Sequence, residues 1–431
     1  MGAPAVMNPE IERRFPDLHP ALSSQEALVE ADRCLFCFDA PCAGACPTHI
    51  DVPKFIKKIS SGNLRGSALA ILDANILGAS CARVCPVQVL CEGACVMHRY
   101  NHSPIAIGRL QRFAMENAHV SGGDLPRLAT AEKPLRVACI GAGPASLACA
   151  AELARRGHTA VIFEARPLPG GLNTYGVAEY KLRARVSLEE VDFIRSLGVE
   201  IRCGDAIDAV GMARLAEDYD AVFIGLGLGH MEPLGIPGED ATGVIDALSF
   251  IAGYKTAETA AGKNVVVIGA GNTAIDAANA ARRLGADEVI MLYRRTDEHM
   301  SAFSFEYEHA KRERVEFRWM ARPLRILVEN GKVAGIECIR VTPSLEIVPG
   351  SEYTIPCDMV IPAIGQSRSL EILSRIPDIR SKRGVIEVDR ATGRTGNPKF
   401  YAGGDIINGG REVVDAVADG KRAALGMITN A

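Results

Sequence analysis

The spacing of apolar positions along the chain switches from helical to strand-like near residue 135. Before that point, Phe55, Ile56 and Ile59, then Leu69, Ile71 and Leu72, recur every three to four residues. Val52–Ser60 and Ser67–Leu77 therefore read as helices with one buried face each, and Ser24–Ala31 as a shorter helix ahead of them. After residue 135 the apolar positions gather into short runs: Leu135–Ile140, Thr159–Phe163, Asn264–Ile268 and Glu288–Leu292. Helical spacing over Leu147–Arg156 and Thr273–Leu284 separates the members of each pair. Such strand–helix–strand units predict parallel sheets. Between the two regimes, Ser121-Gly-Gly-Asp-Leu-Pro-Arg127 has no period and reads as a linker.

Composition narrows the class. A chain of 431 residues is long enough for about three domains. Nearly half of it is apolar, only 5% is aromatic, and it holds 42 glycines, which suits an α/β protein with many tight turns. A net charge of −4 gives no electrostatic footprint for nucleic acid. No apolar run reaches the roughly 18 residues of a membrane span. Residues 1–14 carry Glu10 and Glu12 without an apolar core, unlike a signal peptide, so a cytoplasmic location is expected.

Eight of the 13 cysteines fall between Cys34 and Cys95. Their order is Cys34-x2-Cys37-x4-Cys42-x3-Cys46-Pro, then Cys81-x3-Cys85-Pro, then Cys91-x3-Cys95. In a reducing compartment such a cluster holds metal rather than disulfides. Closely spaced cysteines can wrap one iron–sulfur cubane, and a Cys-Pro junction carries the next thiolate to a second one. By that logic Cys34, Cys37 and Cys42 hold one cluster, closed by Cys95. Cys46, Cys85 and Cys91 hold the other, with Cys81 as the fourth thiol on spacing alone. A zinc site, with His49 and His98 nearby, is the competing reading. The remaining Cys139, Cys149, Cys203, Cys338 and Cys357 stand in apolar settings and read as core thiols.

Two glycine-rich turns follow apolar strands and open helices. The first is Gly141-Ala-Gly143-Pro144-Ala145-Ser146 and the second is Gly269-Ala-Gly271-Asn272-Thr273-Ala274. In this context the glycines allow a tight turn and close approach of a pyrophosphate, which the helix N-terminus attracts. Glu164, at the end of the strand after the first turn, can accept from ribose hydroxyls. The matching strand after the second ends in Tyr293-Arg294-Arg295, which leans toward a 2′-phosphate, with NADH left open. Two copies imply two nucleotides, most simply a flavin and a nicotinamide. His299–Phe303 reads either as a phosphate contact or as a plain loop. Near the C-terminus, Lys399–Asp405 is a strand entering a glycine turn. An amphipathic helix from Val413 to Met427 follows, its N-terminus suited to an anionic reduced flavin and Asp405 to the ribityl chain. No catalytic triad or paired carboxylate is needed or found.

The cysteine module, the doubled fingerprint and Ala402-Gly-Gly404-Asp405 together resemble the flavin-bearing electron-input unit of glutamate synthase small chains and dihydropyrimidine dehydrogenases, over essentially the whole chain. Cys37-Phe-Asp-Ala-Pro-Cys42, Cys46-Pro-Thr-His49, Pro104-Ile-Ala-Ile-Gly108, Leu110-Gln111-Arg-Phe113 and Gly171-Leu172-Asn-Thr-Tyr-Gly176 are most similar to the pyrimidine branch, in particular the flavoprotein subunit of its bacterial two-subunit form. The resemblance implies FAD in the first fold, NAD(P)H in a second fold inserted into it, and two [4Fe-4S] clusters in an all-α domain ahead of both. It implies Gln111 as the eighth cluster ligand in place of Cys81, and Gly171, Leu172 and Gln366 as parts of the flavin pocket. It further implies hydride transfer to FAD and single-electron relay to an FMN-barrel, ferredoxin-type catalytic partner in a heterodimer or heterotetramer that reduces uracil or thymine. A glutamate synthase small chain and a non-catalytic adaptor are the alternatives. The domains expected are residues 1–122 (iron–sulfur), a linker 123–134, 135–250 with 355–431 (FAD), and 251–354 (NAD(P)H).

Overall fold

The computed structural model describes residues 9–256, 260–368, 371–373 and 376–430. Its N-terminal part is helical: α1 (Pro9–Arg14), α2 (Ser24–Asp32), α3 (Pro41–Gly44), α4 (Val52–Ser60), α5 (Leu64–Ala74), α6 (Gly78–Val84) and α7 (Ile107–Asn117). Capping sets several boundaries. Ser23 and Glu26 form a reciprocal box at the start of α2, and Asp51 and Asn63 accept from backbone N–H groups at the starts of α4 and α5. The Asn63 cap moves α5 three residues ahead of the stretch that periodicity marks. Cys81 lies on a separate helix, α6, which begins after the break at Asn75.

The first parallel sheet runs β14-β4-β1-β2-β3. It comprises β1 (Arg136–Ile140), β2 (Thr159–Glu164), β3 (Glu200–Cys203), β4 (Ala221–Ile224) and, from the far end of the chain, β14 (Phe400–Ala402). Its helices are α8 (Pro144–Arg155), α9 (Leu172–Tyr175), α10 (Ala184–Ser196), α11 (Ala209–Asp218), α15 (Asp405–Asn408) and α16 (Val413–Thr429). A proline at its first position lets α8 begin at Pro144, three residues earlier than its apolar spacing suggests.

The second parallel sheet runs β11-β5-β6-β7, built from β5 (Asn264–Ile268), β6 (Glu288–Tyr293), β7 (Glu316–Trp319) and β11 (Met359–Pro362). With it go α12 (Ala247–Thr256), α13 (Asn272–Leu284) and α14 (Ser304–Arg312), and an antiparallel sheet of β8 (Ala321–Glu329), β9 (Lys332–Arg340) and β10 (Tyr353–Pro356). A two-residue hairpin, β12 (Ser381–Lys382) and β13 (Val385–Ile386), precedes β14. Among the described residues no single helix is long and apolar enough to cross a membrane.

Packing divides the chain differently from the sequence-based boundaries. Of the described residues, one unit holds those within 9–16, 175–180 and 229–367; the other holds those within 17–174, 181–228 and 368–430. The insertion therefore extends past 251–354 at both ends. Val360 of β11 pairs with Val266 of β5, a long-range parallel register that no local periodicity reveals. Residues 9–16 belong to this unit and not to the iron–sulfur region, because Phe15 stacks on Tyr254 with ring centres 4.9 Å apart and Arg14 donates to the Leu284 carbonyl.

The cysteine-bearing helices and the first sheet form one unit. Leu72, Ile76 and Leu77 sit in the same core as β1, α8 and α16 residues. Glu190 on α10 accepts from the Ala79 N–H at 2.7 Å, the Ser80 N–H at 3.1 Å and the Ser80 hydroxyl, all at the start of α6. A carboxylate there faces the positive end of the helix. At the end of α5, Lys421 donates to the Ala74 carbonyl at 2.7 Å and Arg155 pairs with Asp73 at 2.6 Å.

Burial pushes the Glu190 carboxyl up from 4.5 to about 7, against the lowering effect of its hydrogen bonds and of Arg83. A folded-state value above the unfolded one means that the folded chain holds the proton more tightly. Its stabilising contribution is complete below about pH 4.5 and is lost as pH rises toward 7. The urea midpoint followed by circular dichroism should fall between pH 5 and pH 8, and fall by less in Glu190→Gln; equal slopes would contradict this.

Candidate functional site

The first fingerprint is built from close backbone contacts. Gly141 has φ +87°, and a Cβ there would lie 2.7 Å from the Gly225 carbonyl oxygen. Gly143 caps α8, so Pro144, Ala145 and Ser146 form its first turn, with backbone N–H groups of Ala145 and Ser146 unpaired within the helix. Three other segments crowd this turn. A Cβ on Gly171 would lie 2.8 Å from the Gly143 Cα, one on Gly404 would lie 3.1 Å from the Ala145 Cβ, and one on Gly420 would meet the Ala145 carbonyl. Ser146 is fully buried, its hydroxyl has no hydrogen-bond partner among the described residues, and it fills the space beside Gly225 that a third glycine would leave.

Glu164 ends β2 with its carboxylate held from behind. It accepts from the Ala142 N–H at 2.7 Å and the Arg166 N–H at 2.8 Å. Leu172 opens α9 directly after the Gly171 contact. Asp405 accepts from the Arg411 N–H at 3.1 Å, and burial, with Asp415 and Asp419 nearby, holds its carboxyl above the usual range. Val413 begins α16, whose start is boxed by Glu412 and Asp415. Gln366 lies apart from these residues in the fold's connectivity: it bridges to Met231 and donates to the Gly229 carbonyl at 3.0 Å, within the inserted unit. Sequence reasoning overlooked Gly225 and Gly420. The signal for Gly225 is legible: it directly follows the apolar strand Ala221–Ile224.

The second fingerprint has its own collar. Gly269, at φ +139°, lies under the Ala363 carbonyl, and Gly271 caps α13 ahead of Asn272, Thr273 and Ala274. The His299–Phe303 stretch packs on this turn: Phe303 N–H donates to Asn272 Oδ1 at 3.1 Å and Ala302 N–H to the Ala270 carbonyl at 3.2 Å. Arg294 and Arg295 leave the end of β6 exposed to solvent.

The thiols fall into two groups. Cys34, Cys37, Cys42 and Cys95 line one small cavity, walled by Val52 and Ile56 of α4. Burial pushes the Cys42 thiol up to about 11, and the neighbouring Cys95 and Cys34 add to it. In the second group, Cys85 is raised first by its hydrogen bond with Cys81, then by burial and by Cys91 and Cys46. Cys91 is pushed to about 12 by burial, with Glu92 and Cys46 contributing. Gln111 on α7 is buried, and its Nε2 donates to the Gly78 carbonyl at 2.7 Å, at the head of the helix that carries Cys81. Among the described residues no three His, Cys, Asp or Glu side chains form a site for a single metal ion. Four soft sulfur donors around one cavity suit a cubane cluster, whose binding must displace the thiol protons. Of the scattered cysteines, Cys139, Cys149, Cys338 and Cys357 are buried, whereas Cys203 is half-buried at the end of β3.

The glycine collar generates a direct test. Gly404→Val, which places a branched side chain against Ala145, should yield chain purified with less than a tenth of the wild-type flavin, by absorbance after acid extraction. Normal flavin content would show that the turn tolerates filling.

Residues 11–122 match the family described as dihydropyrimidine dehydrogenase domain II, 4Fe-4S cluster, and residues 135–420 match pyridine nucleotide-disulphide oxidoreductase. The glutamate synthase [NADPH] small chain of Escherichia coli is 35% identical over 96% of this chain and 93% of its own length. The NADP(+)-dependent formate dehydrogenase subunit beta of Moorella thermoacetica is 36% identical over 90% of this chain and 59% of its own. Among solved structures, Mycobacterium tuberculosis FprA in complex with NADPH superposes with a TM-score of 0.56 at 20% identity, covering 69% of this chain and 84% of that one; this likeness shows the fold alone. The chain belongs to the pyridine nucleotide-disulphide oxidoreductase family, in the branch that carries an N-terminal 4Fe-4S domain and includes the glutamate synthase small chains.

Proposed function

We propose that this NAD(P)H-dependent FAD/iron–sulfur oxidoreductase is the electron-input subunit of a dihydropyrimidine dehydrogenase, serving an FMN-barrel, ferredoxin-type partner that reduces uracil or thymine. When bound, FAD takes up a hydride from NAD(P)H, and two 4Fe-4S clusters carry electrons one at a time. The chain's own residues supply binding and alignment. The first turn of α8, from Gly143 to Ser146, offers backbone N–H groups to the flavin pyrophosphate, and Glu164 accepts from its ribose. Gly171 and Leu172 close over that turn, while Gly404, Asp405 and the Val413 end of α16 hold the flavin side. Gly269, Gly271, Asn272, Thr273 and Ala274 receive the nicotinamide nucleotide's pyrophosphate, and Arg294 and Arg295 its 2′-phosphate.

Gln111 carries the choice of the pyrimidine branch. Its amide is buried and its nitrogen donates to the Gly78 carbonyl, at the head of the helix that carries Cys81. The amide oxygen is therefore the end left to meet iron with Cys46, Cys85 and Cys91, while Cys34, Cys37, Cys42 and Cys95 hold the first cluster. Cys81 then serves as a hydrogen-bond partner of Cys85 rather than as a ligand. The identity of 35% with a glutamate synthase small chain over nearly its whole length favours the second reading, in which the partner is an amidotransferase chain.

Cys81→Ser should keep full iron content and Gln111→Ala should lose about half, since one of two clusters fails. Half the iron lost in Cys81→Ser would overturn the ligand assignment. Arg294→Ala with Arg295→Ala should raise the KM for NADPH at least tenfold and leave that for NADH unchanged, because a lost charge-assisted contact is worth about 1.5–3 kcal/mol. Affinity purification from the native host, followed by NAD(P)H oxidation assays, tests the substrate. Uracil-dependent turnover supports the proposal; turnover that needs glutamine and 2-oxoglutarate installs the alternative.

A further inference from the structure

Exposed apolar side chains are concentrated around the thiols. Among the described residues, thirteen large apolar side chains are exposed, and six of them, Leu28, Val29, Leu35, Phe38, Val89 and Tyr100, fall between residues 28 and 100. Phe38 is 100% exposed and Leu35 is 54% exposed. Both lie in the loop that carries Cys34 and Cys37, just ahead of α3 with Cys42, and Leu35 lines the first thiol cavity itself. Single exposed apolar residues are ordinary, but a bare phenylalanine one residue from a cluster-binding cysteine is not explained by folding.

The two thiol groups differ in what surrounds them. The second is tied to the flavin side of the unit: Cys81 rides on α6, whose first turn is held by Glu190 of the flavin sheet's α10. Val414, at the start of α16, shares a core with Cys46, Cys81 and, from the first group, Cys95. The first group is closed on one side by α4 and edged by Leu35. Beside it, Lys57 of α4 stands 4.6 Å over the Phe36 ring, and Lys54 and Lys57 are both exposed. Pro53 and Ile56 of α4 line the cavity, and Lys57, four positions after Pro53, lies on the same face of the helix as Pro53.

We propose that the Leu35–Phe38 loop, with Lys54 and Lys57 at its edge, is the docking surface for an acidic electron-accepting protein that carries its own one-electron redox centre. This rests on the electron-input reading and adds to it where electrons leave. Phe38 is the apolar anchor, of the aromatic kind that dominates interface energetics. The lysines speed encounter with a carboxylate-rimmed partner and make it salt-dependent. Docking at this loop puts the partner against the first thiol group, whose cavity Leu35 lines.

The probe is a small acidic bacterial ferredoxin, bound in its oxidised form to the holo-protein and measured by calorimetry at low salt. Phe38→Glu should weaken binding at least tenfold, Lys57→Glu several-fold, and Phe38→Ala by an intermediate amount. Iron content and bleaching of the flavin by NADPH should stay as in the wild type for all three. Val328→Glu, at an exposed apolar site on β8 (43% exposed), should change nothing. The surface is refuted if wild type does not bind the ferredoxin, if Phe38→Glu binds it normally, or if Val328→Glu weakens it equally. A wild-type dimer that Phe38→Glu dissociates would make the occupant a second copy of this chain, also overturning the proposal. Failure of NADPH to bleach the wild-type flavin would instead count against the electron-input reading and leave the binding result to judge the surface.

Discussion

Electrons pass between centres only where the gap is short and fixed, and here the fixing is done by buried contacts between the thiol helices and the flavin sheet. Glu190 is the most demanding of them. A carboxylate without solvent is expensive unless donors surround it, and here two backbone N–H groups, a hydroxyl and a helix N-terminus do so. Leu72, Ile76 and Leu77 extend the flavin core into the module, and Lys421 and Arg155 grip the end of α5. The module is therefore part of the flavin unit and not an appendage on a linker.

The same economy of space governs the nucleotide turns. Gly171, Gly404 and Gly420 come from three distant stretches, and each brings backbone to the first turn of α8 where a side chain would collide. Ser146 takes the place of a third glycine because Gly225 opposite it has no side chain. The second turn is collared by Ala363 and by the loop that ends at Phe303. The geometry of both turns is thus set by tertiary contacts as much as by the fingerprints themselves.

Much of this was legible in the chain. Strand–glycine–helix order marked both fingerprints, and Glu164 ends β2, where the strand pattern places it. The cysteine spacing separated Cys34, Cys37 and Cys42 from Cys46, and the structure gathers the first three with Cys95. Long-range pairing stayed hidden. Nothing local in Met359–Pro362 says that it completes the inserted sheet beside β5, nor in residues 9–16 that they pack against α12 and α13. Periodicity reports which face is buried, not what buries it. Gln111 shows the same limit: its neighbours in sequence suggest a ligand only through a family likeness, and its burial beside Gly78 is a tertiary fact.

The central claim is that NAD(P)H feeds this chain's flavin. Anaerobic addition of NADPH, then NADH, to the purified holo-protein tests it by visible absorbance. The oxidised flavin bands should bleach with at least one of the two nucleotides before any partner is added. An unchanged spectrum with both, in protein that retains its flavin and iron, would contradict it.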